Sequence, residues 1–272
     1  MVKLEFILKH EFLLDDDRCF KEDSGVYLAN DIVLKRKVII KTQKINNEKE
    51  LERVKSEATA MVMVGSEGVN VPHIYETFYD KDRKRYFIVM EYIDGKTLDC
   101  HVDERTFIGY MIDLCEIMSK LEKNKLSHKD IKPDNIMIRN GKLYLIDFNI
   151  SINAPNLVEG TDTYKAPEMD YNSISTNRRK VDYFSIGAMM YDHYTNTVPV
   201  RGYDYSVDGE NKKQWDYFNE PISVNQQMSQ EANDIIVKCM KLNPDERYDN
   251  FNQMKSDLIR LRKKIKNGNR KQ

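Results

Sequence analysis

The prevailing hydrophobic period of the chain changes from strand to helix near residue 95, and that change limits the architectures open to it. Up to about residue 93 the apolar residues fall in runs of strand length. Segments 25–30 (GVYLAN), 36–42 (RKVIIKT) and 85–93 (RYFIVMEYI) are rich in β-branched and aromatic residues. One helix interrupts them at 47–64 (NEKELERVKSEATAMVMV), with an asparagine at its start and Val54, Ala58, Met61 and Val62 at helical spacing. From about residue 97 the helical period takes over. Phe107, Met111, Leu114, Met118 and Leu121 recur at three and four residues and give one helix a continuous apolar stripe. Segment 181–194 (VDYFSIGAMMYDHY) is apolar nearly all round, as a helix buried at the centre of a lobe must be. Strands first and helices afterwards predict an α+β fold with a small β-rich part and a larger helical part.

Between those two helices the strand period returns briefly. Ile136 to Ile138, then Asn140-Gly141, then Leu143 to Ile146 read as a short hairpin, because Asn-Gly suits a turn with positive φ at both positions. A hairpin brings its two ends together, so Asn135 and Asp147 are expected to be neighbours. Two oxygen ligands so placed suit a shared magnesium ion.

Composition excludes several classes. With 272 residues, 40% hydrophobic and 32% charged, the chain is long enough for a large core. Its 43 basic and 44 acidic side chains leave a net charge of -1, which offers no general attraction to nucleic acid or membrane; such binding would need a local patch. Cys19, Cys100, Cys115 and Cys239 are scattered, without zinc or disulfide spacing, and are expected to be reduced, packed thiols. The opening MVKLEFILKHEFLLDDD mixes charge and apolar residues too finely for a signal peptide, and no apolar run reaches the length of a membrane span. A cytoplasmic location is expected.

Residues 128–135 read HKDIKPDN. Alone, such a stretch is a charged surface loop. It is joined, however, by DFN at 147–149, VIIK at 38–41, GTDTYKAPE at 160–168, DYFSIG at 182–187 and LNPDER at 242–247. In this order and at these spacings the chain resembles the eukaryotic-type (Hanks-type) serine/threonine protein kinases from about residue 12 to about residue 262. The resemblance implies a bilobal protein kinase fold in a single domain over 1–272, with an N-lobe at 1–93, a C-lobe at 94–262 and a basic tail at 263–272. It implies ATP as phosphoryl donor, magnesium (or manganese) as metal, and a protein substrate with a Ser/Thr acceptor.

Phosphoryl transfer needs positioning and charge neutralisation more than covalent chemistry, and the resemblance distributes these roles. Asp130 would orient or accept the proton of the attacking hydroxyl. Lys132 would neutralise the γ-phosphate, and Asn135 and Asp147 would hold the metal. Lys41 would grip the α- and β-phosphates, kept in place by Glu57; Glu50 and Glu52 are the alternatives, nearer the helix start. Adenine would sit between the lobes, read by the Glu91 carbonyl and the Ile93 amide behind Met90 and sandwiched by Val26, Ile39 and Met137. Ile39 replaces the family's small alanine and should narrow the pocket. His128 and Pro133 would shape the loop, Asp182 would brace its backbone, and Glu168 and Arg247 would form a buried ion pair. Thr161 would hydrogen-bond near Asp130 and Lys132.

Three departures qualify the resemblance. Cys19, Lys21 and Ser24 stand where the phosphate loop has its glycines, with only Gly25 beside them. Side chains there predict weakened ATP binding, offset in part by the charge of Lys21. Asn149 replaces the glycine after Asp147 and Phe148, a tolerable change because asparagine accepts left-handed backbone. Lys129 replaces the arginine that pairs with a phosphorylated activation loop, and lysine lacks the bidentate fork. With Ser151, Thr161 and Thr163 as the only serine or threonine residues in that loop, activity without obligatory loop phosphorylation is expected. A pseudokinase acting as a binding module is the alternative function, and a small-molecule phosphotransferase a further one, weakened by GTDTYKAPE and Arg247. Asp134 and Asp192 fall where basophilic members read arginine, although both equally suit surface charges. The C-terminal LIRLRKKIKNGNRKQ has seven basic residues and no acidic ones; it reads as a solvated helix end and tail, with an acidic partner or membrane surface as the alternative. No nucleic acid partner is expected, and the chain is expected to be a monomer or weak dimer.

Overall fold

The computed structural model describes residues 12–21, 25–147, 163–169, 180–199 and 219–268. The chain divides into two compact units, Met1–Gly95 and Lys96–Gln272.

The first unit is a five-stranded sheet in the order β1-β2-β3-β5-β4, with every neighbouring pair antiparallel. Its strands are β1 (Phe12–Lys21), β2 (Val26–Asp31), β3 (Arg36–Lys44), β4 (Ile74–Asp80) and β5 (Arg85–Glu91). Alternation along the strands gives the sheet two faces. On one, Phe12, Ala29, Val38, Ile40, Phe87 and Val89 form a buried cluster, with Tyr75 and Phe78 packed on it. The other follows from register: Val26 pairs with Lys41, Leu28 with Ile39, Lys41 with Ile88 and Ile39 with Met90. Strands β2, β3 and β5 were legible in the sequence, whereas β1 and β4 were not. Both are edge strands; β1 carries the run DDDR and two register shifts, and none of β4's residues is fully buried.

Helix α1 (Glu48–Ser66) is capped by Asn47, whose side chain accepts the Glu50 N–H at 2.9 Å. It buries Val54, Glu57, Ala58, Ala60, Met61 and Val64. Val62, expected on that face, is instead 57% exposed. Adjacent helical residues lie about 100° apart, and Met61 takes the inward place.

The second unit is mainly helical. Asp103 caps α2 (Glu104–Lys123) by accepting the Thr106 N–H at 3.0 Å, and the whole Phe107-to-Leu121 stripe is buried. A three-stranded sheet joins β6 (Lys96–Thr97), β7 (Ile136–Arg139) and β8 (Lys142–Leu145). The turn between β7 and β8 has φ 54° at Asn140 and 73° at Gly141, as that residue pair predicts. Helix α3 (Val181–Thr195) buries 13 of its 15 residues. It is followed by α4 (Pro221–Val224), α5 (Gln230–Cys239) and α6 (Phe251–Gly268).

Helices α3 and α5 approach closely at Gly187, where a Cβ would lie 2.6 Å from the Cys239 Cβ. Cys100, Cys115 and Cys239 are free, buried thiols; burial pushes the Cys100 thiol up to about 12. The Cys19 side chain lies outside the described residues. Among the described residues no helix is long and apolar enough to cross a membrane.

Basic residues of α6 find acids within the chain: Arg260 pairs with Asp257, Lys264 with Glu231 and Lys255 with Glu116. Of these, Arg260 and Lys264 belong to the C-terminal basic run, so two of its seven basic residues are paired within the chain.

Candidate active site

The loop from Ser127 to Asn135 is shaped mostly by one carboxylate. Asp182, in the first turn of α3, accepts the backbone N–H groups of His128 and Lys129, each at 2.8 Å. Lys129 is thereby held in left-handed backbone, at φ 67°. Burial raises the Asp182 carboxyl to about 6, while the two amides favour its ionised form. Burial also lowers His128 to about 4, so at neutral pH it is a neutral core residue and no general base.

Braced in this way, the loop assembles a charged cluster around Asp130, which is only 7% exposed. The Lys132 ammonium lies 3.0 Å from Asp130 Oδ2. The Asn135 carboxamide donates to both the Asp130 backbone oxygen and Oδ2, each at 2.8 Å. Pro133 starts the single 3-10 turn over 133–135 that carries Asn135 back toward Asp130.

The β7–β8 hairpin then closes on the same place. Ile146 N–H donates to the Asn135 carbonyl at 3.0 Å, so Asp147 follows directly on the main chain that meets Asn135. Asp147 is exposed and has φ 58°. With the Asn135 N–H₂ turned to Asp130, its carbonyl oxygen and the Asp147 carboxylate form an all-oxygen donor pair. That chemistry fits magnesium or manganese. Met137, partly buried in β7, pairs across the sheet with Thr97 and Tyr144.

In the first unit, Lys41 Nζ lies 3.0 Å from Glu57 Oε1, with the lysine side chain 20% and the glutamate 9% exposed. The other two glutamates are engaged elsewhere. Glu50 accepts the Asn46 N–H at 2.8 Å and Glu52 pairs with Lys55 at 2.9 Å. Val26 and Ile39 share the sheet face of Lys41. Glu91 donates its N–H to the His73 carbonyl at 2.8 Å, and its carboxylate accepts the His73 N–H at 3.3 Å. The Ile93 carbonyl accepts the Gly95 N–H at 3.0 Å.

Gly25 has a structural reason to be glycine. Its φ is 66° and a Cβ would lie 2.4 Å from the Thr42 carbonyl oxygen, where Thr42 N–H donates to Gly25 O at 2.6 Å. Lys21 ends β1, but its side chain, Ser24, Asn149, Ser151 and Thr161 lie outside the described residues.

Two further contacts support the second unit. Arg247 binds Glu168 with both terminal nitrogens, at 2.5 and 2.8 Å, and donates to the carbonyls of Lys241 and Lys180 at 2.8 and 3.0 Å. Tyr164 donates to Asp192 at 3.1 Å. Asp192 is therefore buried, at 8% exposure, and not a surface charge, whereas Asp134 is exposed. Sequence reasoning missed this tyrosine, although its place within GTDTYKAPE singled out the segment.

A sheet carrying a partly buried Lys–Glu pair, and a helical unit whose Asp–Lys–Asn loop is pinned by a carboxylate from a central helix, are the features of a phosphotransferase class. The chain belongs to the protein kinase family: the family model described as protein kinase domain matches residues 22–259.

Among its relatives are PrkC, a serine/threonine-protein kinase of Bacillus subtilis, and PknB, a serine/threonine-protein kinase of Mycolicibacterium smegmatis. PrkC is 26% identical over 260 residues, covering 86% of this chain and 38% of the relative. PknB is 27% identical over 266 residues, covering 88% and 41%. A Clostridium perfringens protein described as a probable serine/threonine-protein kinase is 30% identical over 257 residues, covering 88% and 36%. The chain thus spans well under half the length of these relatives.

Proposed function

We propose that the chain transfers the γ-phosphoryl group of ATP to serine or threonine hydroxyls of protein substrates. The observation that carries this reading is the Asp130 carboxylate, buried yet bonded to Lys132 and Asn135 on a braced loop. A carboxylate so held is fixed in orientation and suits a proton acceptor for an incoming hydroxyl. Lys132, held against it, is the local positive charge for the transferring group. Lys41, kept in place by Glu57, supplies the charge for the α- and β-phosphates. Asn135 and Asp147 would hold magnesium, which when bound neutralises phosphate charge. The name serine/threonine-protein kinase, printed for the relatives, supports the acceptor class. The lysine at position 129, which lacks the bidentate fork of an arginine, supports activity without obligatory loop phosphorylation.

The pseudokinase reading draws on Cys19, Lys21 and Ser24 in place of glycines. The test separates the two: the chain is incubated with labelled ATP and magnesium beside Asp130→Asn and Lys41→Met. Transfer to a generic protein substrate, lost in both variants, supports the enzyme. Absence of transfer together with absence of a thermal shift by ATP and magnesium overturns it.

A further inference from the structure

The turn between β2 and β3 holds three consecutive aliphatic side chains out into solvent. Ile32, Val33 and Leu34 are 38%, 58% and 55% exposed. Single exposed aliphatics are ordinary, but three in a row at a hairpin tip are not.

The turn is built so that they stay out. Asp31, 1% exposed, accepts the Leu34 N–H at 2.9 Å and the Arg36 Nε–H at 3.2 Å. Lys35 closes the turn in left-handed backbone, at φ 51°. The anchoring carboxylate is buried, so the only acid in segment 31–37 presents almost no charge to solvent.

Behind the tip the side chains change in a fixed order. Lys35, Arg36 and Lys37 come next, Lys35 and Lys37 being exposed. Arg36 lies 3.5 Å from the centroid of the Tyr75 ring, and the Lys37 ammonium 5.7 Å from that of Tyr92. An aliphatic tip followed by cations with tyrosines beside them matches the two levels of an anionic bilayer surface, the acyl boundary and then the headgroup level where basic and aromatic side chains both sit.

We propose that this hairpin tip is a peripheral membrane contact that inserts Ile32, Val33 and Leu34 at the surface of an anionic bilayer, with Lys35 and Lys37 on the headgroups. The contact is independent of the phosphoryl-transfer site and of any membrane-crossing segment.

The full chain is tested by co-sedimentation with vesicles of phosphatidylcholine alone and of phosphatidylcholine with phosphatidylglycerol. Binding is expected to the anionic vesicles only and to fall with salt. The pair Lys35→Gln, Lys37→Gln should weaken it about thirtyfold, and Val33→Asp with Leu34→Asp should abolish it. Both pairs should keep the thermal midpoint of the parent, since the altered side chains are exposed. Equal binding to neutral vesicles, or none to anionic ones, overturns the proposal. So does a dimer that the aspartate pair dissociates while vesicle binding is absent, because the patch would then serve a second copy of the chain.

Discussion

Replacing Arg247 with methionine removes the guanidinium but keeps much of the apolar stem. The structure sets the cost. Arg247 has no side-chain exposure, Glu168 has 4%, and two contacts join them, so the substitution leaves a carboxylate buried without its counter-charge. It also strips a donor from the carbonyls of Lys241 and Lys180. Breaking one side of a buried pair costs roughly 3–5 kcal/mol. At roughly 2–4 °C per kcal/mol for a chain of this size, the melting midpoint should fall by about 6–20 °C.

Glu168→Gln should cost a comparable amount, because it leaves the arginine charge buried. The double variant removes both charges and should lose less than the sum, by about 0.5–3 kcal/mol. Scanning calorimetry and urea unfolding of the four proteins measure this. A loss under about 1 kcal/mol for Arg247→Met, or strictly additive single costs, would show that the pair is not what joins the 163–169 segment to the late helices.

Glu57→Gln turns the ion pair with Lys41 into a contact between a cation and a neutral amide, a loss of about 1–1.5 kcal/mol, so kcat/KM for ATP should fall roughly 5- to 10-fold with little change in melting. Gly187→Ala forces a methyl against Cys239 and should cost about 1–3 kcal/mol, read by calorimetry; an unchanged midpoint would mean that α3 and α5 separate freely. The pH response follows from two opposed groups. His128, lowered from 6.5 to about 4, contributes stability present above pH 6.5 and lost as pH falls toward 4. Asp182, raised from 3.8 to about 6, contributes stability present below pH 3.8 and lost as pH rises through 6. The two trends offset each other between pH 6 and 4. In His128→Phe only the Asp182 trend remains, so its stability relative to the parent should rise by up to about 3 kcal/mol between pH 6.5 and 4. A constant difference across that range would refute the assignment.

What the sequence revealed depended on how local each signal was. The Asn140-Gly141 turn and the α2 stripe are set by neighbours three or four residues away, and both were legible. Glu57 was legible through the resemblance, as the glutamate followed by the apolar AMVMV and further from the helix start than Glu50 and Glu52, and it pairs with Lys41. Strand β4 was hidden because it is an edge strand none of whose residues is fully buried, which leaves no apolar alternation to read, and β1 because the acidic run DDDR breaks up its apolar residues. Val62 misled because spacing alone does not separate Met61 from its neighbour. The Tyr164–Asp192 contact, between residues 28 apart, depends on tertiary folding and has no sequence pattern.

Burial of 13 of the 15 residues of α3 gives that helix a fixed length as well as a fixed place. A surface helix can take an extra residue by turning a few side chains through water. One residue inserted between Asp182 and Gly187 would rotate everything beyond it by about 100° and advance it about 1.5 Å. A side chain would then meet Cys239 while Asp182 still gripped the loop behind it. The helix acts as a ruler with the loop's brace at one mark and the α5 contact at another. Any change in chain length has to be taken up in the connections on either side.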